Sequence, residues 1–202
     1  MKLLQFPELT RRRLPHFFTL REEIPPRTED LPERLRQNGL PVTQVAAEQV
    51  HGIGVAKVSR AEAGKVIPGA DALICGESDL TLVVRVADCG PVWLHCKRTG
   101  AIGLVHSGRM GTELGIVPVT IRAMQKEFGA DPAEMLGLLG PCIRPPHYDV
   151  DFAGEILRQM KGEDVGEIVD SGLCTASDPE RFYSYRREKG QTGRHFAVLA
   201  AA

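Results

Sequence analysis

Two reactive side chains, Cys89 and His106, stand where apolar runs stop. Residues 80–112 read LTLVVRVADCGPVWLHCKRTGAIGLVHSGRMGT, with one stop at Asp88-Cys89 and the next at His106. Residues 80–86 and 101–105 are β-branched, bounded by turn residues and too short for helices, which predicts strands. Residues 91–96 lie between them, and Lys97-Arg98-Thr99-Gly100 suits a turn. A hairpin closed there sets Cys96 against Ala101 and Val92 against Val105, so that Cys89 and His106 emerge at the same end. A thiolate and an imidazole are ligands zinc accepts, and they are also the pair a cysteine nucleophile needs. His51 is a third group of this kind, at a bend between strands, where Gly52 and Gly54 let the backbone turn and a ligand approach. A Cys/His/His set is what a catalytic zinc with three protein ligands and one open position requires. Such an ion keeps the cysteine as thiolate and lowers the pKa of a bound water. Spacing leaves the bland alternatives open: a buried strand cysteine is commonly a small hydrophobe, and a strand-end histidine commonly only hydrogen-bonded.

The elements that must position these groups follow from patterning. Residues 16–20 read as an edge strand. Residues 30–38 read as a short helix, with Asp30 as N-cap, Pro32 in the first turn and Gly39 as stop. Residues 43–49 and 53–58 flank the bend at His51. Asp71, just before an apolar strand at 72–74, reads as a turn or capping residue. A helix begins near Val117 with Pro118 in its first turn, or kinks there, and Thr112-Glu113 suits a helix start. Residues 129–132 end that helix, 135–139 form a strand, 152–160 a helix, 178–187 an irregular segment and 196–200 a closing strand. Strands and helices intermix without strict alternation, which argues an α/β or α+β fold with a mixed sheet rather than a doubly wound parallel one.

Composition narrows the function classes. With 202 residues and 43% hydrophobic content, residues 1–202 can bury a single core. A net charge of −1, from 25 Lys+Arg and 26 Asp+Glu, gives no global reason to expect nucleic acid or an anionic membrane as partner. No apolar run approaches the roughly 20 residues of a membrane helix, and a cytoplasmic protein is expected. Five cysteines, an odd number without a CxxC pair, favour reduced thiols and exclude a four-cysteine zinc ribbon. Six histidines, several isolated, cannot furnish a multicopper ligand set.

Many short motifs stand in one order: Gln49-Val50-His51-Gly52, Ala70-Asp71-Ala72, Ala87-Asp88-Cys89-Gly90-Pro91-Val92, Val105-His106-Ser107-Gly108 with Gly111-Thr112, Gly140-Pro141-Cys142-Ile143, Tyr148-Asp149-Val150, Cys174-Thr175, and residues 182–187 with Thr192-Gly193-Arg194. Over roughly residues 40–200 the chain resembles the bacterial laccase-domain family, whose members are known as polyphenol oxidases, purine nucleoside phosphorylases and peptidoglycan editing factors. The resemblance implies an αββα-like sandwich, mixed sheets inside and helices outside, and makes His51, Cys89 and His106 the zinc ligands. It implies zinc-dependent phosphorolysis of purine nucleosides (adenosine, inosine, methylthioadenosine), with adenosine deamination as a second reaction. A peptidoglycan-precursor amide hydrolase, or a non-catalytic module that retains zinc, are the alternatives.

Within that reading Cys89, His106 and Asp88 form the catalytic set. Asp88 would serve as a proton acceptor or support beside Cys89, or simply cap a strand end. Gln49, Asp71, Arg109, Arg186 and Arg194 are the expected contacts to substrate and phosphate. Arg187 reads as a further source of charge for phosphate or as a solvated basic group, Cys142 as a packed thiol, and His95 as a core or surface residue. Where the family has HAGWRGT, this chain has His106-Ser107-Gly108-Arg109-Met110-Gly111-Thr112, so an aromatic platform and an arginine are missing and Arg109 stands one position early. The N-terminal wall of the pocket is also expected to be shorter than in the family.

Overall fold

Period-two alternation of apolar side chains, with helices covering the outer faces, builds the molecule. The computed structural model describes residues 2–201. In chain order the elements are β1 (Leu3–Leu4), α1 (Pro7–Arg11), β2 (His16–Thr19), α2 (Leu31–Gln37), β3 (Gln44–Ala47), β4 (Val55–Lys57), β5 (Val66–Ile67), β6 (Ala72–Cys75), β7 (Thr81–Val86), β8 (Gly90–Cys96), β9 (Ile102–Ser107), α3 (Arg109–Glu113), α4 (Ile116–Phe128), β10 (Met135–Leu139), α5 (Phe152–Gly162), β11 (Glu167–Asp170) and β12 (His195–Ala200). They form two six-stranded mixed sheets, ordered β1-β2-β12-β7-β3-β5 and β11-β10-β8-β9-β6-β4.

Alternation assigns each face. In β7, Leu82, Val84 and Val86 point between the sheets and join Trp93, Ile102, Leu104, Leu136 and Leu138 of the second sheet. Val83 points outward to Leu31 and Leu35 of α2. On β8, Trp93 points inward, whereas Val92 and Leu94 face Ile116, Ile121 and Met124 of α4 and Ile156 and Met160 of α5. The layers are therefore helix, sheet, sheet, helix, the expected αββα-like arrangement. The Trp93 indole N–H donates to the Val198 carbonyl at 2.9 Å, a polar tie from one sheet to the other through the core.

The β8–β9 hairpin has the expected register: Val92 pairs with Val105, and the Cys96 N–H donates to the Ala101 carbonyl at 2.9 Å. Elsewhere the boundaries shift for physical reasons. β2 is not an edge strand, because β1 pairs on one side of it and β12 on the other. The Asp30 carboxylate does not cap α2; it accepts the Arg27 N–H at 3.0 Å and closes a short 3₁₀ turn ahead of that helix. Thr112-Glu113 ends α3 instead of starting a helix. α4 begins at Ile116 after Gly115 at φ +83°, which leaves Pro118 in the first turn, where its missing N–H is harmless. Patterning did not reveal α1 or β11, which are too short to show a period. No helix among the described residues is long and apolar enough to cross a membrane.

Candidate metal centre and substrate cleft

His51 is held in an unusual loop. Gln49 and His51 both adopt positive φ, +69° and +62°. The Gln49 carboxamide offsets this cost by donating to the Arg85 carbonyl at 2.6 Å and accepting the Arg85 N–H at 2.8 Å, as a strand neighbour would. The Asp71 carboxylate accepts the His51 N–H at 3.0 Å and the Gly52 N–H at 2.7 Å. Gly54 lets the loop lie against residues 69–70, since a Cβ there would stand 2.1 Å from the Gly69 carbonyl oxygen.

His106 lies on β9 opposite Pro91, buried, with Nδ1 2.8 Å from Asp71 Oδ1. That contact assigns the proton to Nδ1, which donates to the carboxylate, and leaves the Nε2 lone pair for a ligand. Cys89 follows Asp88, a non-glycine residue at φ +89°, in the turn from β7 into β8. Gly108 completes the cradle: a Cβ at that position would lie 2.8 Å from Cys89 Sγ and 3.3 Å from the His51 ring.

One donor atom from each of His51, Cys89 and His106 lies within 4.8 Å of the other two, and His51 Nε2 stands 3.9 Å from Cys89 Sγ. Ligands of a tetrahedral ion with bonds of ~2.0–2.3 Å lie ~3.3–3.8 Å apart, so small side-chain adjustments close the set around a metal. Electrostatics favour the same outcome. Burial pushes the Cys89 thiol up, but the neighbouring His106 and His51 imidazoles outweigh it and bring it down to about 7. Burial opposes charge on His106, yet Asp71 and Cys89 raise it to about 9. His51 is raised by Cys89. Cys89 and His106 thus favour a thiolate beside an imidazolium, and a cation of higher charge can replace that proton.

The centre lines a cleft of about 1510 Å³. Arg109, Arg186 and Arg194 line it as well. The Arg186 guanidinium lies 5.6 Å from the centre of the Tyr148 ring and that of Arg194 lies 5.5 Å from Tyr185. Arg109 is turned along its own helix to Glu113, at 2.8 Å.

Two expected substrate contacts are committed elsewhere. Asp71 is fully buried and both its oxygens are taken, so it orients the His51 loop and His106 instead of meeting substrate. Gln49 lines the cleft, but its carboxamide is spent on the Arg85 backbone. Of the roles expected for Asp88, support beside Cys89 is the one its contacts fit: its carboxylate accepts Thr175 Oγ1 at 2.6 Å, Ser184 Oγ at 3.1 Å and the Arg186 N–H at 2.7 Å. It ties the irregular segment that carries Arg186 to the cysteine turn. Arg187 is no solvated group, because it donates to the carbonyls of Thr175 and Phe182 and to Glu188.

Cys142 is buried and pushed up to about 12, a packed thiol as expected. His95 is buried and lowered to about 4 by burial and by Arg12. His16 and His195 are committed to backbone groups on both ring nitrogens. Patterning missed Tyr148, Tyr185, Arg27 and Arg85 as cleft residues. For Arg85 a signal existed: a charge interrupting an otherwise apolar strand.

An αββα sandwich whose His51, Cys89 and His106 cluster lines a cleft is the class of protein defined here. Residues 28–160 and 150–202 match the family described as multi-copper polyphenol oxidoreductase laccase, and the chain belongs to that family. A Corynebacterium glutamicum protein named purine nucleoside phosphorylase is 35% identical over 77% of this chain and 73% of its own. A Streptomyces coelicolor protein of the same name is 32% identical over 76% of this chain and 73% of its own. Among solved structures, YlmD from Geobacillus stearothermophilus superimposes with a TM-score of 0.84 at 23% identity, over 92% of this chain and 91% of that one. This last likeness shows the fold. A His/Cys/His group able to bind a metal and relatives named as phosphorylases support an enzyme that acts on a small nucleoside-type molecule.

Proposed function

We propose that this chain is a zinc-dependent purine nucleoside phosphorylase that acts on adenosine, inosine and methylthioadenosine, with adenosine deamination as a second reaction. The observation that carries the reading is the convergence of His51, Cys89 and His106 within 4.8 Å at an arginine-lined cleft. The donor set favours zinc: one thiolate and two imidazoles suit a borderline-soft ion and leave a fourth position for substrate. Two histidines are too few for multicopper chemistry despite the family's description.

Phosphorolysis breaks the C1′–N bond of the nucleoside and joins a phosphate oxygen to C1′, while the departing base gains a proton. When bound, zinc would supply Lewis acidity to the reacting substrate. Cys89, His51 and His106 hold it, and Asp71 fixes the tautomer of His106. Arg186 and Arg194 balance the charge of phosphate and orient it through paired N–H donors. Tyr148, which lines the cleft, offers a flat face for the base. Asp88 is a positioning residue, since it fixes the backbone of Arg186 relative to Cys89. We read residues 1–202 as one domain working in a reducing, cytoplasmic compartment, in keeping with its five free cysteines.

The test combines metal analysis with a product assay. Protein purified with its native metal is expected to hold about one zinc per chain and to release free base and ribose 1-phosphate from a nucleoside panel when phosphate is present. Zinc retained at full occupancy in Cys89→Ser would refute the metal site. Release of an amino acid from a muropeptide precursor without nucleoside cleavage would identify the editing hydrolase instead, and zinc without any turnover a binding module.

A further inference from the structure

The chain carries a net charge of −1, yet the cleft is lined by Arg27, Arg85, Arg109, Arg186, Lys189 and Arg194. The carboxylates that share it are Glu29, Glu48 and Asp88, and Asp88 is already enclosed by three donors. Glu48 is turned to the Gly69 N–H at 2.7 Å. Positive charge is therefore concentrated here against the balance of the whole molecule.

Arg85 is the most unusual of these cations. It stands on β7, where the alternation that sends Leu82, Val84 and Val86 into the core sends Arg85 to the outer face, beyond the cover that α2 gives Val83. Its backbone is fixed on both sides by the Gln49 carboxamide, at 2.6 and 2.8 Å. Its guanidinium has no carboxylate partner among the described residues; its one side-chain contact is Thr28 Oγ1 at 3.5 Å. Arg27 stands next to Thr28 on the same wall, also without a carboxylate partner for its guanidinium among the described residues. Arg194 is braced by the carbonyls of Thr192 and Gly193, at 3.2 and 3.1 Å, and by Tyr185. Cations that are positioned but unpaired in a cleft suit an anionic ligand, and guanidinium forks match phosphate oxygens.

We propose that Arg85, with Arg27, forms an anion subsite that holds a phosphate dianion on the wall of the cleft where Arg85 meets Thr28. The Arg85 guanidinium meets Thr28 Oγ1 at 3.5 Å, which sets it beside Arg27 on that wall. A phosphoryl group carried by the substrate and free inorganic phosphate present the same dianion to these guanidinium forks. Filled by a substrate's own phosphoryl group, the subsite extends the substrate class to nucleoside 5′-monophosphates. It rests on the phosphorylase reading for the identity of the nucleoside, but not for the anion chemistry.

Equilibrium binding of adenosine, adenosine 5′-monophosphate and inorganic phosphate to the metal-loaded protein tests this, with Arg85→Gln and Arg27→Gln compared against the wild type. Arg85 and Arg27 are exposed, so both variants are expected to fold, and thermal unfolding checks it. The wild type is expected to prefer the monophosphate to adenosine, and Arg85→Gln to reduce that preference roughly tenfold or more. If the monophosphate binds no better than adenosine but inorganic phosphate binds and weakens in Arg85→Gln, the subsite stands and serves the free anion. If neither anion responds to either substitution, the subsite is refuted, whether or not nucleosides are cleaved. Arg85-dependent binding of the monophosphate without turnover of any nucleoside would keep the subsite and discard the phosphorylase reading.

Discussion

Asp71 Oδ1 lies 2.8 Å from His106 Nδ1, and the same carboxylate gathers the His51 and Gly52 amides. One buried side chain thereby sets the orientation of one metal ligand and the backbone of another. Replacement by asparagine removes the negative charge and one acceptor oxygen. Asp71→Asn is expected to lower metal affinity roughly 10–100-fold, the usual effect of losing a partner that orients a histidine ligand. Competition with a chromophoric chelator measures it, and unchanged affinity would remove Asp71 from the centre.

The cradle at Gly108 is tight. In Gly108→Ala the new methyl carbon meets Cys89 Sγ at 2.8 Å, so either the sulfur or the turn after β9 must move. The variant is expected to fold, since the strain sits at an open cleft, and to lose at least tenfold in metal affinity. Metal content per chain, with circular dichroism as a folding check, decides between this and a tolerant site.

Asp88 should behave differently from the ligands. Asp88→Asn puts an amide where three donors now converge, which leaves donors facing one another and costs roughly 1–3 kcal/mol. Loosening residues 175–187 displaces Arg186, so KM for substrate is expected to rise while zinc occupancy stays near one. Loss of zinc with an unchanged KM would reverse the assignment.

Acid stability has a defined sign. Burial holds His195, and burial with Arg12 holds His95, neutral at about 4, below the ordinary histidine value of 6.5. The unfolded chain therefore binds more protons than the folded one between those values. The contribution of these two groups is complete above pH 6.5 and declines as pH falls toward 4, by up to ~3 kcal/mol for each. Urea unfolding midpoints at pH 7, 5.5 and 4.5 should fall in that order, and a flat profile would contradict the buried neutral state.

Cys142→Ala offers a contrast with the metal cysteine. The Cys142 thiol is buried and pushed up to about 12, so it supplies no thiolate near neutral pH. Turnover and zinc content are expected to match the wild type, at a stability loss of about 1 kcal/mol for the small void left behind. A fall in turnover without loss of zinc would assign it a chemical role.

The sequence by itself determined what depends on local rules. The Lys97–Gly100 turn sets the β8–β9 register, so Cys89 and His106 were bound to share one end of the hairpin. Alternation determined which residues of β7 and β8 enter the core, and the glycines around His51 marked a bend. The partners of the acids were decided only in three dimensions. Asp71 reaches His106 across 35 positions and Asp88 reaches Thr175 and Ser184 across 87 and 96, and nothing in local periodicity encodes such distances. Patterning could only name each acid a turn or cap. Burial then decided the outcome: a carboxylate taken from water must find donors, and those near Asp71 and Asp88 come from segments that only the packed sheets bring together.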